Sequence, residues 1–196
     1  MDVNIWLVTG WRQAGKTSFC RRMAESAREA GWSVGGLLSP AGFQDGAKNT
    51  IWVQDIQSGD RRQLAVAAGQ GGFDLLLGDW FFSRSALAWG DSILQAIAPC
   101  DLLIIDELGP LEFVLLLGWM AAFEVLSRSR FRLALVVVRP ELAETARRAI
   151  QFTDAIRLDG PDQVGSALET WAARMLELPA CPTRWRVGPP ADTRAH

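Results

Sequence analysis

The sequence contains little histidine, tyrosine, cysteine or lysine. Its 196 residues include one histidine, three cysteines and no tyrosine, and the histidine is the last residue. Because the sequence has this single histidine and no C-x-x-C pair, it argues against a structural zinc site of cysteine and histidine ligands. The three cysteines, Cys20, Cys100 and Cys181, lie far apart, and residues 1–4 resemble no secretory leader. This pattern predicts reduced thiols and a cytoplasmic protein.

Long apolar runs and an excess of one charge are missing as well. The longest uncharged apolar run, residues 113–123, has 11 residues, which is too short to cross a bilayer, so we expect no membrane span. The net charge of −2 argues against an obligate nucleic-acid partner. The length favours a single domain over residues 1–178, followed by a proline-rich tail over 179–196.

Lysine is rare, and one lysine lies where a known motif requires it. Only Lys16 and Lys48 are lysines among 20 basic residues. Residues 10–17, G-W-R-Q-A-G-K-T, fit the phosphate-loop pattern G-x-x-x-x-G-K-[ST] in full. A predicted strand at 5–8 precedes the loop and a predicted helix at 18–30 follows it. The free N–H groups and the positive end of the helix dipole would hold a nucleoside triphosphate there.

The residues predicted to bind the nucleotide form one continuous stretch. They are Gly10, Trp11, Arg12, Gln13, Ala14, Gly15, Lys16, Thr17 and Ser18. Lys16 is also a catalytic candidate, because its ammonium would bridge the β- and γ-phosphates. For Arg12 two orientations are open, towards the phosphates or outwards. Trp11 and Trp80 are candidates to stack on a base, although tryptophans more often contribute to packing.

A second motif lies downstream, in the apolar run 102–105 that ends in Asp106 and Glu107. Such a buried strand presents its carboxylate at the carboxyl edge of an open α/β sheet, where ligands bind. We expect Asp106 and Thr17 to hold Mg²⁺, directly or through water, and Glu107 to act as the general base for water. Neighbours on a regular strand point to opposite sides, so the strand must end or twist for both carboxylates to serve one site.

Arg139 is the third catalytic candidate. It follows the apolar strand 133–138, which P-loop folds with this acidic pattern usually place beside the phosphate-loop strand. Its guanidinium would then face the γ-phosphate and stabilise transition-state charge. The alternative is a solvent-exposed arginine before a helix.

Alternating strand and helix patterns predict an α/β P-loop NTPase fold, a mainly parallel sheet flanked by helices. Between the two motifs, 51–56 and 61–66 flank a turn and predict an inserted antiparallel β-hairpin. The segment 111–126 predicts a buried apolar helix, and a partner-docking face is the open alternative. Pro161 opens a predicted last helix.

Three stretches together resemble the THEP-type nucleoside-triphosphatases: the phosphate loop, the hairpin turn at 55–60, and above all residues 106–112, D-E-L-G-P-L-E. The resemblance covers roughly residues 1–160. It implies a small cytoplasmic P-loop protein with a nucleotide-kinase-like fold that hydrolyses ATP, GTP and other triphosphates with Mg²⁺.

The same resemblance assigns roles residue by residue. It implies phosphate binding by Gly10, Gly15, Lys16 and Thr17, magnesium at Asp106 and water activation at Glu107, together with a family-typical acid at Glu112. The chain departs from the family pattern at Arg12-Gln13, at Gly46-Ala47-Lys48 and at Gly78-Asp79-Trp80. These departures bear on base selectivity and turnover.

The sequence therefore favours a Mg²⁺-dependent nucleoside-triphosphatase. One alternative is a nucleotide or small-molecule kinase, which needs an acceptor pocket and an arginine-bearing lid, and no arginine-rich lid segment is evident. The other alternative is a slow nucleotide-dependent switch that serves a protein partner.

Overall fold

All strands of the described residues belong to one mixed sheet. The computed structural model describes residues 4–70, 74–128 and 130–179. In chain order the strands are β1 (Asn4–Thr9), β2 (Val34–Leu38), β3 (Ala41–Gln44), β4 (Ala47–Asp55), β5 (Arg61–Ala67), β6 (Leu75–Leu77), β7 (Trp80–Phe82), β8 (Cys100–Leu108), β9 (Phe131–Val138) and β10 (Asp154–Arg157). The α-helices are α1 (Lys16–Glu29), α2 (Arg84–Ala96), α3 (Pro110–Phe113), α4 (Ala121–Arg128), α5 (Ala143–Ala149) and α6 (Val164–Glu177).

The parallel half of the sheet has the strand order β10-β1-β9-β8-β2. The strand β9 lies between β1, which leads into the phosphate loop, and β8, which carries the two acidic residues. All five carboxyl ends reach the same edge of the sheet, where open α/β sheets bind ligands. The predicted fold class is confirmed, and β9 pairs with the phosphate-loop strand as expected.

The insertion between β2 and α2 is larger than the predicted hairpin. The hairpin itself is present as β4 and β5, which pair antiparallel. Three further strands, β3, β7 and β6, pair antiparallel around it, and β4 joins the insertion to β2.

The core has two layers, one on each face of the sheet. Along β8 the side chains alternate, because successive residues of a strand point to opposite faces. Leu102 and Ile104 pack on the face covered by α1 and α6, and Leu103 and Ile105 pack on the other face with residues of α2 and α4. This alternation fixes β8 in the sheet and brings its carboxyl end to the ligand edge.

The predicted helix over 111–126 is wrong. Two short helices, α3 and α4, flank an irregular segment in which Val114, Leu115, Leu116 and Leu117 are exposed. Leu116 and Gly118 both have positive φ angles, which an α-helix does not permit. Apolar composition alone therefore misled the prediction.

Two further sequence-based predictions concern a membrane span and the C-terminal tail. No helix among the described residues has the length and apolar character needed to cross a membrane. The tail predicted for 179–196 lies outside the described residues from position 180 onwards.

Candidate active site

The phosphate loop turns sharply between β1 and α1, and glycine is required at both of its ends. A Cβ on Gly10 would lie 2.2 Å from the carbonyl oxygen of Leu158, and one on Gly15 would lie 2.5 Å from Cγ2 of Val164. Gly15 also has a φ of 88° immediately before α1 begins. The loop therefore packs closely against the segment after β10, with the first-turn N–H groups of α1 at its end.

Lys16 reaches back over this loop. Its side chain is 7 % exposed, and Nζ donates hydrogen bonds to the carbonyl oxygens of Gly10 at 2.7 Å and Trp11 at 2.9 Å. The ammonium is thus held above the loop backbone, on the side where a phosphate bound to the loop N–H groups would lie.

Asp106 and Thr17 meet at the carboxyl ends of β8 and the phosphate loop. The Thr17 side chain hydrogen-bonds Asp106, and Asp106 Oδ2 accepts the backbone N–H of Ser39 at 3.0 Å. Burial raises the pKa of Asp106 to about 6, and the charge of Glu107 acts in the same direction; the bonds from Ser39 and Thr17 oppose it. Bringing a cation to this carboxylate would favour its charged form.

Glu107 shares the cleft with Asp106 although it is the next residue. The pairing of β8 with β9 changes register between Ile105 and Leu108, so the strand is irregular where the two acids stand. Glu107 Oε1 accepts a hydrogen bond from Arg139 Nε at 2.5 Å, with both side chains about one quarter exposed. The structure therefore brings the predicted base and the predicted arginine into one ion pair.

These residues line a cleft of about 300 Å³ between the sheet edge and the insertion. Its polar end holds Thr17, Asp106, Glu107 and Arg139. Its other end is apolar and is formed by residues of the insertion, of α2 and of the segment after β8. They are Ile51, Leu64, Leu77, Phe82, Leu87, Leu111 and Trp119.

Sequence reasoning missed the apolar end of this cleft and two of its polar residues. Ser39 follows the carboxyl end of β2, and that position beside a parallel strand was the available signal. Lys48 lines the cleft from β4, and its Nζ lies 5.2 Å from the centre of the Trp80 ring. Burial lowers the pKa of Lys48, with the cation Arg139 acting in the same direction and Glu107 opposing it. The rarity of lysine and the departure from the family pattern at Gly46-Ala47-Lys48 were the sequence signals for it.

The remaining predicted loop residues take different positions. Trp11 is 60 % exposed, and Gln13 and Ser18 are exposed too. Arg12 points towards solvent, 3.8 Å from Asp79, yet it still lines the mouth of the cleft. The residues Arg12, Lys48, Asp79 and Trp80, noted as departures from the family pattern, therefore gather near this mouth.

Glu112 is buried beside the cleft with both carboxylate oxygens bonded. Oε2 accepts the backbone N–H of Gly109 at 2.8 Å, and Oε1 accepts that of Trp119 at 3.0 Å. Burial raises the pKa of Glu112 to about 7, while these two hydrogen bonds lower it. The carboxylate therefore links Gly109, just after β8, to Trp119, just before α4.

The donor set fits a hard divalent cation. A hydroxyl oxygen of Thr17 and a carboxylate of Asp106 stand together, and Mg²⁺ prefers such oxygens while keeping several waters. Among the described residues no group of three or more His, Cys, Asp and Glu side chains forms a metal cage. The site therefore fits a cation shared with phosphate oxygens.

The site combines a loop with glycine at both ends before a helix, a lysine over that loop and an acidic strand end beside it. Together these features define a P-loop nucleotide-binding protein. A family model described as NTPase matches residues 5–156. The chain belongs to this NTPase family, and the resemblance to THEP-type proteins is confirmed.

Known relatives extend this result. The chain is 30 % identical over 106 residues to nucleoside-triphosphatase THEP1 of Methanopyrus kandleri, covering 54 % of this chain and 58 % of the relative. It is 28 % identical over 149 residues to the protein of the same name from Methanosarcina acetivorans, covering 74 % and 83 %. The chain thus spans about three fifths of the length of the first of these relatives.

Two solved structures share the fold. THEP1 from Aquifex aeolicus superposes with a TM-score of 0.64 at 14 % identity, over 87 % of this chain and 98 % of that one. A human cancer-related nucleoside triphosphatase superposes with a TM-score of 0.60 at 18 % identity, over 88 % and 98 %. At these identities the likeness concerns the fold alone.

Proposed function

We propose that this protein is a Mg²⁺-dependent nucleoside-triphosphatase that hydrolyses ATP, GTP and related triphosphates to the diphosphate and phosphate. The observation that carries the proposal is the meeting of Thr17, Asp106 and Glu107 in one cleft beside the phosphate loop. The names of the relatives support the same activity.

The phosphate loop would position the substrate. Backbone N–H groups at the start of α1 bind the phosphate oxygens, and Gly10 and Gly15 keep Cβ atoms out of the way. The Lys16 ammonium would exchange the carbonyl oxygens of Gly10 and Trp11 for β- and γ-phosphate oxygens. This exchange buries no additional charge, because the ammonium is already largely buried.

The acidic strand end supplies the metal ligand and the base. Thr17 and Asp106 would hold Mg²⁺, which when bound offsets the charge of the β- and γ-phosphates. Glu107 accepts a proton from the attacking water, and Arg139 orients the Glu107 carboxylate through their hydrogen bond. The same guanidinium lies within the cleft and can contribute charge to the γ-phosphoryl oxygens.

Phosphate release from each of the common triphosphates, with and without Mg²⁺, tests the proposal. Lys16→Ala should lower turnover by ~10²–10³, as is usual when one charge-stabilising group is removed. The matched control is Arg21→Ala, which deletes an exposed cation from the same helix. Equal turnover in a folded Lys16→Ala variant, or no release by the wild type, would overturn the assignment.

A further inference from the structure

The cleft is much larger than hydrolysis by water requires. A site for one water molecule needs only ~10–15 Å³ of space open to its centre, and the cleft offers about 300 Å³ of such space. In the proposed function the γ-phosphate and the cation would occupy the polar end, which Thr17 and Asp106 line. The apolar end offers neither charge nor hydrogen bonds that a triphosphate needs.

The direction of the nucleotide places this apolar end beyond the γ-phosphate. The loop N–H groups bind the α- and β-phosphates, Lys16 the β- and γ-phosphates, and Thr17 the cation between them. The phosphate chain would therefore point from the loop towards Asp106 and Glu107. The nucleobase would lie at the opposite end of the nucleotide. Ile51, Leu64 and Leu77 line the apolar end of the same cleft. With the phosphate chain in this direction, that end would lie past Glu107, on the side from which a nucleophile attacks the γ-phosphorus.

We name the apolar end the acceptor pocket and define it by Ile51, Leu64, Leu77, Phe82, Leu111 and Trp119. The insertion supplies the first four of these residues, and the segment after β8 supplies the other two. Pockets for small molecules are mostly apolar with a few convergent polar groups, and here these are Lys48 and Glu107.

The charges around the cleft indicate a neutral occupant. Its lining has three cations, Arg12, Lys48 and Arg139, and three carboxylates, Asp106, Glu107 and Glu112. The two kinds of residue are equal in number, so the lining shows no excess of one sign that would select an anion or a cation. Apolar walls in turn penalise a charged group that is not paired.

We propose that the acceptor pocket binds a small neutral molecule with an apolar body and one hydroxyl group, and that this hydroxyl replaces water as acceptor of the γ-phosphoryl group. This inference rests on the proposed function for the nucleotide. The hydroxyl oxygen forms a bond to the γ-phosphorus as the bond from that phosphorus to the β,γ-bridging oxygen breaks. The nucleoside diphosphate leaves with the electron pair, the hydroxyl proton passes to Glu107, and a phosphate monoester remains.

The experiment uses 2-phenylethanol as probe and 2-phenylacetate as its charged counterpart. Saturation-transfer NMR measures binding of each to the full chain with Mg²⁺-ADP present. Chromatography with γ-labelled ATP then measures formation of 2-phenylethyl phosphate. We expect a binding signal for the alcohol and none for the acid, and formation of the labelled ester.

A pair of variants on one strand locates the binding. Leu77→Trp fills the pocket, and Ile51→Phe fills it from β4 and serves if the first variant does not fold. Leu76→Trp is the matched control, because Leu76 is the neighbouring residue, is 57 % exposed and does not line the cleft. We expect the filling variants to weaken alcohol binding by about tenfold or more and the control to leave it unchanged.

Each outcome either supports or overturns the inference. No signal for the alcohol, equal signals in Leu77→Trp and Leu76→Trp, or binding without ester formation would overturn this inference. A wild type that hydrolyses ATP but ignores the alcohol leaves the proposed function standing. A wild type that binds the alcohol but neither binds nor hydrolyses ATP overturns both the proposed function and the transfer step.

Discussion

At the scale of single residues, the pair of Glu107 and Arg139 distinguishes this cleft from a simple phosphate-binding loop. The hydrogen bond from Arg139 fixes one carboxylate oxygen of Glu107 and leaves the other for water or a hydroxyl. Arg139 is also 3.8 Å from Glu141, which lies outside the cleft lining. The guanidinium is thus oriented by carboxylates from two sides.

Arg139→Ala should lower turnover by ~10³, the lower end of the range for an arginine that stabilises phosphoryl transfer. Arg139→Lys should restore little of the lost turnover, because an ammonium lacks the planar fork that hydrogen-bonds a carboxylate and a phosphoryl group at the same time. Steady-state phosphate release at saturating ATP measures this. Turnover of Arg139→Ala within a few-fold of the wild type would show that the ion pair has no part in the reaction.

Sequence alone located the main charged residues of the polar end of the cleft, because the motifs encode the strand ends that carry them. The structure brings Lys16, Thr17, Asp106, Glu107 and Arg139 together as the sequence indicated. Sequence reasoning missed Ser39 and Lys48 as residues of the cleft, since neither belongs to a motif, and the place of Lys48 depends on how the insertion folds over the edge.

At the scale of elements, the segment after β8 shows why composition misled the helix prediction. A helix over 111–126 would satisfy the Trp119 N–H internally, but here the buried carboxylate of Glu112 accepts that N–H instead. The chain must then turn back, and Gly118 makes the turn with a φ of 74°. A sequence pattern cannot display a hydrogen bond between residues seven apart.

Gly118→Ala should destabilise the fold more than an ordinary substitution at positive φ. A Cβ there would lie 2.2 Å from Oε1 of Glu112 and displace the carboxylate from its partners. Gly46→Ala is the matched control, because Gly46 has a φ of 76° and nothing within 4 Å of its Cβ position. The control should cost ~1–2 kcal/mol, and Gly118→Ala a further ~1–3 kcal/mol, by urea unfolding. Equal losses would contradict this account of the turn.

Glu112 should also make stability depend on pH. Its pKa is about 7 in the folded protein against 4.5 for an ordinary glutamate, so the folded state holds the proton more tightly. The free energy of unfolding therefore falls as pH rises from about 4.5 to about 7. Asp106 acts in the same direction, with a pKa raised to about 6.

Comparing the wild type with Glu112→Gln isolates this effect, because the variant keeps Asp106. Urea unfolding from pH 5 to pH 8 should show the variant gaining stability relative to the wild type as pH rises. Two parallel curves would show that the Glu112 carboxylate does not change protonation in this range.

At the scale of the whole molecule, the strand order explains why the candidate active site lies at one edge of the sheet. Because β9 separates β1 from β8, the phosphate loop and the acidic strand end stand on either side of Arg139. The alternation of strands and helices predicted the parallel half of this sheet. The five-stranded insertion was harder to predict, because its short strands depend on pairing with one another and on β2.

The most direct test of the central claim compares Mg²⁺-ATP binding and turnover in Glu107→Gln and the wild type, by calorimetry and by phosphate release on the same preparations. If the cleft hydrolyses triphosphates with Glu107 as base, the variant should bind nearly as well and turnover should fall by ~10²–10⁴. Glu141→Gln, which also removes a carboxylate near Arg139, should retain turnover. Near-normal hydrolysis by Glu107→Gln would contradict the account.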